Sequence, residues 1–238
     1  MAKALIFAGG SGQRMNSRSK PKQFLEMYGK PIIIYTLEHF EYHDAIDQII
    51  VVCIENWIEE LKGLLKKYNI TKVVKVVPGG ATGHDSIYFG LKAMQSITDD
   101  TDIVLIHDGV RPLINQELIT ENIEAVKKYG NAITCEAARE SVVCSIDGEN
   151  ITDVPLRSHM YTAKAPQSFF YGDIRRLYER AHEEGYQSID SSHLCSIYNE
   201  PMHLVQSTKN NIKITDPADF YIYRALYEAI EGQQIFGL

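Results

Sequence analysis

Short apolar runs alternate with longer segments of helical spacing along most of the chain. Residues 5–8 and 48–54 are almost continuously apolar, as expected of strands buried on both faces. Across residues 55–68, apolar side chains recur every three or four positions, which predicts a helix. The same patterns predict further strands at 73–77, 102–106, 131–138 and near 203–207, and further helices at 85–97, 115–129, about 172–185 and 217–231.

This order of elements predicts an α/β fold, in which βαβ units build a mainly parallel, Rossmann-like sheet with helices on both faces. Ligands of such sheets bind at the carboxyl ends of the strands. Three polar or glycine-rich segments fall at predicted strand ends: residues 9–12, 78–86 and 107–112. We therefore expect segments that are distant in sequence to converge on one crevice.

Residues 139–157 interrupt the α/β pattern. Alternating runs at 142–146 and 151–154 flank Asp147-Gly148, and an Asp-Gly pair between alternating runs predicts a β-hairpin. No linker or repeat divides the rest of the chain. We expect one domain over residues 1–238, with residues 139–157 as a hairpin that either protrudes as an arm or lies on the surface without a partner.

The turn after the first strand, Ala8-Gly9-Gly10-Ser11-Gly12, is the first candidate site. Glycines allow close backbone approach and can aim several N–H groups at one phosphate. Arg14 and Lys22 add positive charge where a triphosphate is negative. The string lacks the Gly-Lys-Ser/Thr of a Walker loop, and Met15 stands where a dinucleotide fingerprint requires its third glycine. The local chemistry thus favours a nucleotide triphosphate.

Composition narrows the possible partners and compartment. The formal charge of −7 over 238 residues argues against nonspecific nucleic-acid binding, and no apolar run is long enough to cross a membrane. The chain enters a strand almost at its first residue, which leaves no room for a signal peptide. Four widely spaced cysteines are typical of reduced, mostly buried thiols: Cys53, Cys135, Cys144 and Cys195. We expect a cytoplasmic protein that binds neither membrane nor nucleic acid.

Several ordered motifs carry a more specific resemblance. The opening Ala-Gly-Gly-x-Gly-x-Arg-Met with Pro-Lys-Gln resembles that of the small-molecule cytidylyltransferases, which join CTP to a polyol phosphate and release pyrophosphate. Further motifs follow in that family's order: Gly79-Gly80 with Asp85-Ser86, His107-Asp108-Gly109-Val110-Arg111-Pro112, Arg157, Pro166-Gln167-Ser168-Phe169 and Asn211-Ile212-Lys213-Ile214-Thr215. The resemblance spans residues 3 to about 225.

The resemblance implies a role for each matching residue. The cations that steady the triphosphate and the reacting phosphorus would be Arg14, Lys22 and Lys213. Nucleotide contacts would come from Ala8, Gly9, Gly10, Ser11, Gly12, Gly80, Ser86 and Asp108, and Asp108 would also be a ligand of Mg²⁺. Acceptor contacts would come from Arg111, Arg139, Ser141, Arg157 and Thr215. His107 is expected to be a packed, hydrogen-bonded histidine, because this chemistry needs no general base.

Family members use the hairpin as an arm that clasps a second subunit, so the resemblance also implies a homodimer. Three positions depart from the family pattern: Gly83 replaces an Arg, Ala165 after Lys164 replaces a Thr, and Ile189 replaces the Thr of a Thr-Asp pair. These departures concern the acceptor more than the nucleotide.

The resemblance leaves two candidate acceptors. The spacer between Met15 and Pro21 and the string from Asp153 to Arg157 favour an alditol phosphate, above all D-ribitol 5-phosphate for wall or capsule polymers. The alternative acceptor is 2-C-methyl-D-erythritol 4-phosphate of isoprenoid synthesis. Two other classes remain open: a nucleotide-binding protein without catalysis, and, on the partial glycine fingerprint, a nicotinamide-dependent oxidoreductase.

Overall fold

A computed structural model describes residues 1–9 and 20–236, with side chains up to residue 232. The strands are β1 Ala2–Ala8, β2 Glu26–Met27, β3 Lys30–Pro31, β4 Ile46–Cys53, β5 Val73–Pro78, β6 Ile103–Asp108, β7 Asn131–Ala137, β8 Tyr161–Phe170 and β9 Leu204–Gln206. The α-helices are α1 Ile32–Glu41, α2 Ile58–Lys67, α3 Gly83–Met94, α4 Gln116–Tyr129, α5 Tyr171–Glu184, α6 Ser191–Ile197 and α7 Pro217–Phe236.

Seven strands form the central sheet in the order β5-β4-β1-β6-β8-β7-β9, and β2 and β3 form a separate antiparallel pair. Within the central sheet every pairing is parallel except those of β8, which runs antiparallel to both β6 and β7. The predicted α/β class and the mainly parallel sheet are confirmed. Strand β8 and helix α1 are additions that the apolar pattern did not predict.

Alternation along β1 directs side chains to two cores. Ala4 and Ile6 face the core beneath α1, α2 and α4, whereas Leu5 faces the core beneath α3, α5 and α6. Successive side chains of a strand point to opposite faces, so a strand between two helical layers must be apolar throughout. Helices therefore cover both faces of the sheet, as the strand–helix alternation predicted.

Local capping sets where several helices begin and end. The Asn115 side chain accepts a hydrogen bond from Leu118 N, which confirms the predicted cap of α4, and Gly130 ends that helix at φ 90°. Helix α3 begins two residues before the predicted start because Thr82 and Asp85 form a capping box.

The segment between β7 and β8 is exposed over most of its length. The predicted turn is present: Gly148 has φ 78°, and the Asp147 carboxylate accepts from the backbone of Glu149 and Asn150. The alternating runs do not form a ladder, however, and they meet at a single antiparallel bridge between Cys144 and Asp153. An isolated hairpin has too few contacts to be stable alone, which accounts for the short pairing.

All four cysteines are free, and three of them are buried as predicted, whereas Cys144 is exposed on this segment. Of the helices in the described part of the chain, none combines the length and the apolar character that crossing a membrane requires.

Candidate active site

The carboxyl ends of β1 and β6 bring two predicted site segments side by side. The strands are parallel neighbours, and Phe7 is in register with Asp108. Ala8 and Gly9 therefore leave the sheet next to Asp108, as expected for ligand sites at strand ends. Gly10, Ser11, Gly12 and Arg14 lie outside the described residues.

Asp108 is the centre of a buried charge cluster. Its Oδ2 accepts from Arg111 Nε at 2.7 Å, and its Oδ1 pairs with Lys213 Nζ at 2.6 Å. Burial by itself raises the pKa of the Asp108 carboxyl, but the two cations outweigh burial and hold the pKa well below its ordinary value. The carboxylate is therefore ionised throughout the physiological pH range, and the cluster carries a net positive charge.

Arg111 is the fixed partner in this cluster and Lys213 is the accessible one. Arg111 is 8% exposed, and its Nη1 also donates to the Asn211 carbonyl at 3.1 Å. The Lys213 side chain is 40% exposed. A long side chain with that freedom can move its ammonium from Asp108 to an incoming phosphate, whereas Arg111 is held on two sides. Arg111, predicted to bind the acceptor, thus makes its described contacts to Asp108 and Asn211.

A small cavity of about 90 Å³ brings Lys22 into the same site. It is lined by Phe7, Ala8, Lys22, Gln23, Asp108, Val110 and Lys213. Gln23 fixes the Lys22 segment against the first strand, since its Nε2 donates to the Ala8 carbonyl at 2.5 Å. Two of the three predicted catalytic cations, Lys22 and Lys213, therefore line one cavity with Asp108.

On the side of the site beneath α3, glycine backbone packs closely against the first turn of that helix. The Ser86 hydroxyl accepts from Gly80 N at 3.1 Å and donates to the Thr82 carbonyl at 2.9 Å. A Cβ added to Gly9 would lie 3.0 Å from Ser86 Oγ, and one added to Gly80 would lie 2.3 Å from Asp85 Cβ. Glycine is required at Gly80 because no side chain fits there. Of the predicted nucleotide residues, Gly9, Gly80 and Ser86 thus form one tightly packed wall, and Ala8 lines the small cavity.

A second cavity, of about 270 Å³, opens on the other side of Asp108 and Lys213. Its walls combine polar and apolar side chains: Phe7, Gly83, Ile87, Ile106, Asp108, Arg111, Ala163, Lys164, Ala165, Gln167, Ile189, Asp190, Ser191 and Lys213. The three positions that depart from the family motifs, Gly83, Ala165 and Ile189, all line this cavity. The two cavities share Phe7, Asp108 and Lys213.

The remaining predicted acceptor residues lie elsewhere. Arg139, Ser141 and Arg157 are exposed in the segment between β7 and β8, and the described lining of the two cavities does not include them. Arg157 Nη1 donates to the Arg139 carbonyl at 3.4 Å, which keeps the two arginines together. Thr215 is half-buried near the start of α7, and its backbone N donates to Asp219.

His107 supports the cluster from behind and is a packed histidine, as predicted. It is fully buried, and its Nε2 lies 3.2 Å from the Arg111 carbonyl. Burial lowers the pKa of His107 to about 3, so the ring is neutral at physiological pH.

Sequence reasoning missed the roles of Gln167, which lines the larger cavity, and of Asn211, which holds the backbone of the lining residue Ala165. Gln167 donates to the Asp190 carboxylate at 3.1 Å and accepts from Ser192 N, so it joins β8 to the first turn of α6. Asn211 is buried and donates to the Ala165 carbonyl at 2.7 Å. Both belong to motifs that carried the resemblance, but their structural roles depend on which strands are neighbours, and β8 was not predicted.

The side chains available as metal ligands limit how a metal could bind. Among the residues that the structure describes, no three histidine, cysteine or carboxylate side chains group as metal ligands. Asp108 is the single carboxylate in the described lining of the small cavity. Mg²⁺ is commonly held by one or two carboxylates together with phosphates and water. The residues therefore fit an ion whose other ligands belong to a bound triphosphate.

Comparison with known proteins identifies the family of the chain. The family model IspD, 2-C-methyl-D-erythritol 4-phosphate cytidylyltransferase, matches residues 2–229. The chain is 48% identical over 235 residues to a ribitol-5-phosphate cytidylyltransferase of Streptococcus agalactiae serotype Ia, covering 98% of each chain. It is 50% identical over 235 residues to one of Vibrio parahaemolyticus, covering 98% of this chain and 99% of the relative.

More distant relatives are named for the other candidate acceptor, 2-C-methyl-D-erythritol 4-phosphate. A 2-C-methyl-D-erythritol 4-phosphate cytidylyltransferase of Clostridium botulinum is 35% identical over 226 residues, covering 95% of this chain and 97% of the relative. The crystal structure of 4-diphosphocytidyl-2C-methyl-D-erythritol synthase from Anaerococcus prevotii superposes with a TM-score of 0.82 at 28% identity, covering 96% of this chain and 98% of that one. The chain belongs to the IspD family of cytidylyltransferases, which are nucleotidyltransferase enzymes.

Proposed function

We propose that the protein joins CTP to D-ribitol 5-phosphate, giving CDP-ribitol and pyrophosphate. The proposal rests on two cavities that share Asp108 and Lys213. The smaller cavity is also lined by Lys22, and the larger cavity is wide enough for a polyol. Identity supports the choice of acceptor, since relatives named for ribitol 5-phosphate are 48–50% identical and those named for methylerythritol phosphate are 34–36% identical.

In the proposed reaction a phosphate oxygen of the acceptor attacks the α-phosphorus of CTP, and pyrophosphate leaves. The attacking oxygen is already an anion, so no side chain need act as nucleophile or base. Catalysis of this kind depends on positioning and on stabilising negative charge as it spreads over the phosphorus oxygens. Lys22 and Lys213 supply that charge on either side of Asp108, and we assign Arg14 the same task.

We propose separate binding regions for the two substrates. We assign the cytidine to the packed wall of Gly9, Gly80 and Ser86, where backbone groups would read a small pyrimidine and exclude a purine. We assign the acceptor to the larger cavity, with its phosphate directed toward Lys213. Thr215 lies two residues beyond Lys213 and would contact the same phosphate.

We further propose that Mg²⁺ accompanies the triphosphate and is bound by the Asp108 carboxylate. When bound, the ion would neutralise part of the phosphate charge. In this chain the task of Arg111 is to hold the carboxylate in place, while Lys213 is free to leave it. Titrating CTP with and without Mg²⁺, for wild type and Asp108→Asn, should show metal-dependent tightening for the wild type alone.

We propose a homodimer in which residues 139–157 form the arm of the protein. Six large apolar side chains are exposed there: Val142, Val143, Ile146, Ile151, Val154 and Leu156. Such a concentration of apolar surface on a protruding segment suits a partner subunit, which would bring Arg139, Ser141 and Arg157 to the partner's acceptor cavity. Ile146→Asp with Val154→Asp should yield monomers by analytical ultracentrifugation and weaken acceptor binding; an unchanged dimer would contradict the role of the arm.

The cytoplasm is the compartment we propose, because four free cysteines suit a reducing environment. There the product would supply ribitol phosphate units for wall or capsule polymers.

The second candidate acceptor is 2-C-methyl-D-erythritol 4-phosphate, which the matched family model favours. Pyrophosphate release from CTP should be measured with D-ribitol 5-phosphate, other pentitol phosphates and methylerythritol 4-phosphate. The proposal requires the highest kcat/KM with ribitol 5-phosphate. A preference for methylerythritol phosphate would contradict it, and CTP binding without turnover on any acceptor would indicate a non-catalytic nucleotide-binding protein.

A further inference from the structure

Lys164 stands out among the residues of the larger cavity because it is a charged side chain that the proposed reaction does not use. It lies on β8, one residue before Ala165, and lines the cavity together with Asp108 and Lys213. Its side chain is only 12% exposed. A lysine is seldom buried to this extent unless it is paired, so its position calls for an explanation.

The partner of Lys164 is Glu136 on the neighbouring strand β7. Lys164 Nζ lies 2.5 Å from Glu136 Oε2, and the other carboxylate oxygen pairs with Arg139 at the base of the arm. Burial raises the pKa of the Glu136 carboxyl, but hydrogen bonds from Lys164 and Arg139 outweigh burial and leave that pKa below its ordinary value. Glu136 is thus an ionised bridge between the cavity and the arm.

This pairing decides what Lys164 can recognise. An ammonium has three N–H donors, and Glu136 occupies one direction. Because the carboxylate also balances its charge, the ammonium is better suited to donate to neutral hydroxyls than to attract a phosphate dianion. Glu136 is not among the residues that line the cavity, and its two carboxylate oxygens pair with Lys164 and Arg139. The carboxylate therefore orients the ammonium, and the ammonium is the group that can donate to a hydroxyl in the cavity.

We propose that Lys164 hydrogen-bonds a hydroxyl of the alditol chain of the acceptor, with Glu136 as the positioning residue that orients it. This inference rests on the proposed function, since it assumes an alditol phosphate in the larger cavity. It separates recognition of the polyol chain, at Lys164, from recognition of the reacting phosphate, at Lys213. It also gives the Lys164-Ala165 departure from the family motif a chemical role in acceptor choice.

The test compares Lys164→Met with wild type in steady-state kinetics, using D-ribitol 5-phosphate and the series of its monodeoxy analogues. Loss of a hydrogen bond from a charged donor should raise the KM for ribitol 5-phosphate by about tenfold or more. The kcat and the KM for CTP should not change. With the analogue that lacks the contacted hydroxyl, wild type and Lys164→Met should have the same KM.

Two further variants keep the test decisive if Lys164→Met folds poorly. Lys164→Arg retains the charge and the pairing with Glu136, so it should recover part of the acceptor affinity. Glu136→Gln leaves Lys164 in place but unoriented, and should raise the KM with the same dependence on one hydroxyl. Lys127→Met is the matched control, because Lys127 pairs with Glu124 at 2.8 Å on the exposed face of α4; its KM should equal that of wild type.

Two results would overturn the inference alone: an unchanged KM in Lys164→Met, or a KM raised equally for ribitol 5-phosphate and all its deoxy analogues. If the wild-type enzyme turns over no alditol phosphate, the proposed function and this inference fail together. The two failures are thus distinguishable in the wild-type measurement.

Discussion

The two walls of the site are built differently. The wall of Gly9, Gly80 and Ser86 is a close packing of glycine backbone against the first turn of α3, in which a single added carbon at Gly80 would lie 2.3 Å from Asp85 Cβ. The larger cavity is lined by side chains from β6, β8, α3 and the first turn of α6. A Cβ added to Gly83, on its rim, would meet nothing within 4 Å.

This difference explains where a cytidylyltransferase can vary. A wall packed this closely leaves no space for an added side chain at Gly80. In a cavity lined by side chains, single residues can be replaced one at a time. The three positions that depart from the family pattern, Gly83, Ala165 and Ile189, all line this cavity. Asp108 and Lys213 belong to both cavities and must serve either acceptor.

The largest effect is expected where the two cavities meet, at Asp108. Asp108→Asn removes the charge that compensates Arg111, a residue that is only 8% exposed. Breaking a buried pair by removing one partner costs about 3–5 kcal/mol of unfolding free energy. Urea denaturation of the variant should show a loss of this size, together with loss of pyrophosphate release.

Asp100→Asn is a control for this change, because Asp100 pairs with Arg175 at a half-exposed position. Exposed pairs contribute about 0–1 kcal/mol. A similar loss of stability in both variants would show that the Asp108 cluster is no more tightly coupled than the surface.

Gly80→Ala and Gly83→Ala test the contrast between the two walls directly. The same methyl group is added three residues apart, once against Asp85 and once into open space. Overpacking should destabilise Gly80→Ala by about 1–3 kcal/mol and weaken CTP binding in calorimetry. Gly83→Ala should bind CTP as wild type does. Equal CTP affinities for the two variants would contradict the claim that the region around Gly80 is tightly packed while the region around Gly83 is open.

A further effect depends on pH and concerns the packing behind Asp108. Burial lowers the pKa of His107 to about 3, against 6.5 for an exposed ring. Below pH 6.5 the unfolded chain binds a proton that the folded chain excludes, so the free energy of unfolding falls as pH falls. The slope is up to about 1.4 kcal/mol per pH unit for one histidine between pH 6.5 and 3.

His39, His43 and His84 are shifted in the same direction by burial, so they add to that slope. His107→Gln should flatten the pH dependence of stability measured by thermal unfolding, whereas His159→Gln, at an exposed position, should not. If His107→Gln instead changed the pH profile of kcat, His107 would take part in proton transfer and its packing role would be wrong.

Much of the fold followed from the sequence because parallel strands buried on both faces, such as β4, are apolar throughout. Strand β8 escaped prediction because its Lys164, Pro166 and Gln167 interrupt the apolar pattern. The pairing of Lys164 with Glu136 could not be predicted either, since it depends on β7 and β8 being neighbours. Asp108 and Lys213 were predicted as site residues through motifs 105 residues apart, but the sequence did not show that they would pair at 2.6 Å.

The most direct test of the shared centre is the kinetic effect of Lys213→Met, with Lys209→Met, at an exposed position four residues away, as its control. We expect Lys213→Met to lower kcat by about 10²–10³-fold, a loss typical of removing one donor from developing negative charge. The melting temperature should stay near that of wild type, because Lys213 is 40% exposed. A kcat equal to that of the Lys209→Met control would contradict the claim that the reaction takes place where the two cavities meet.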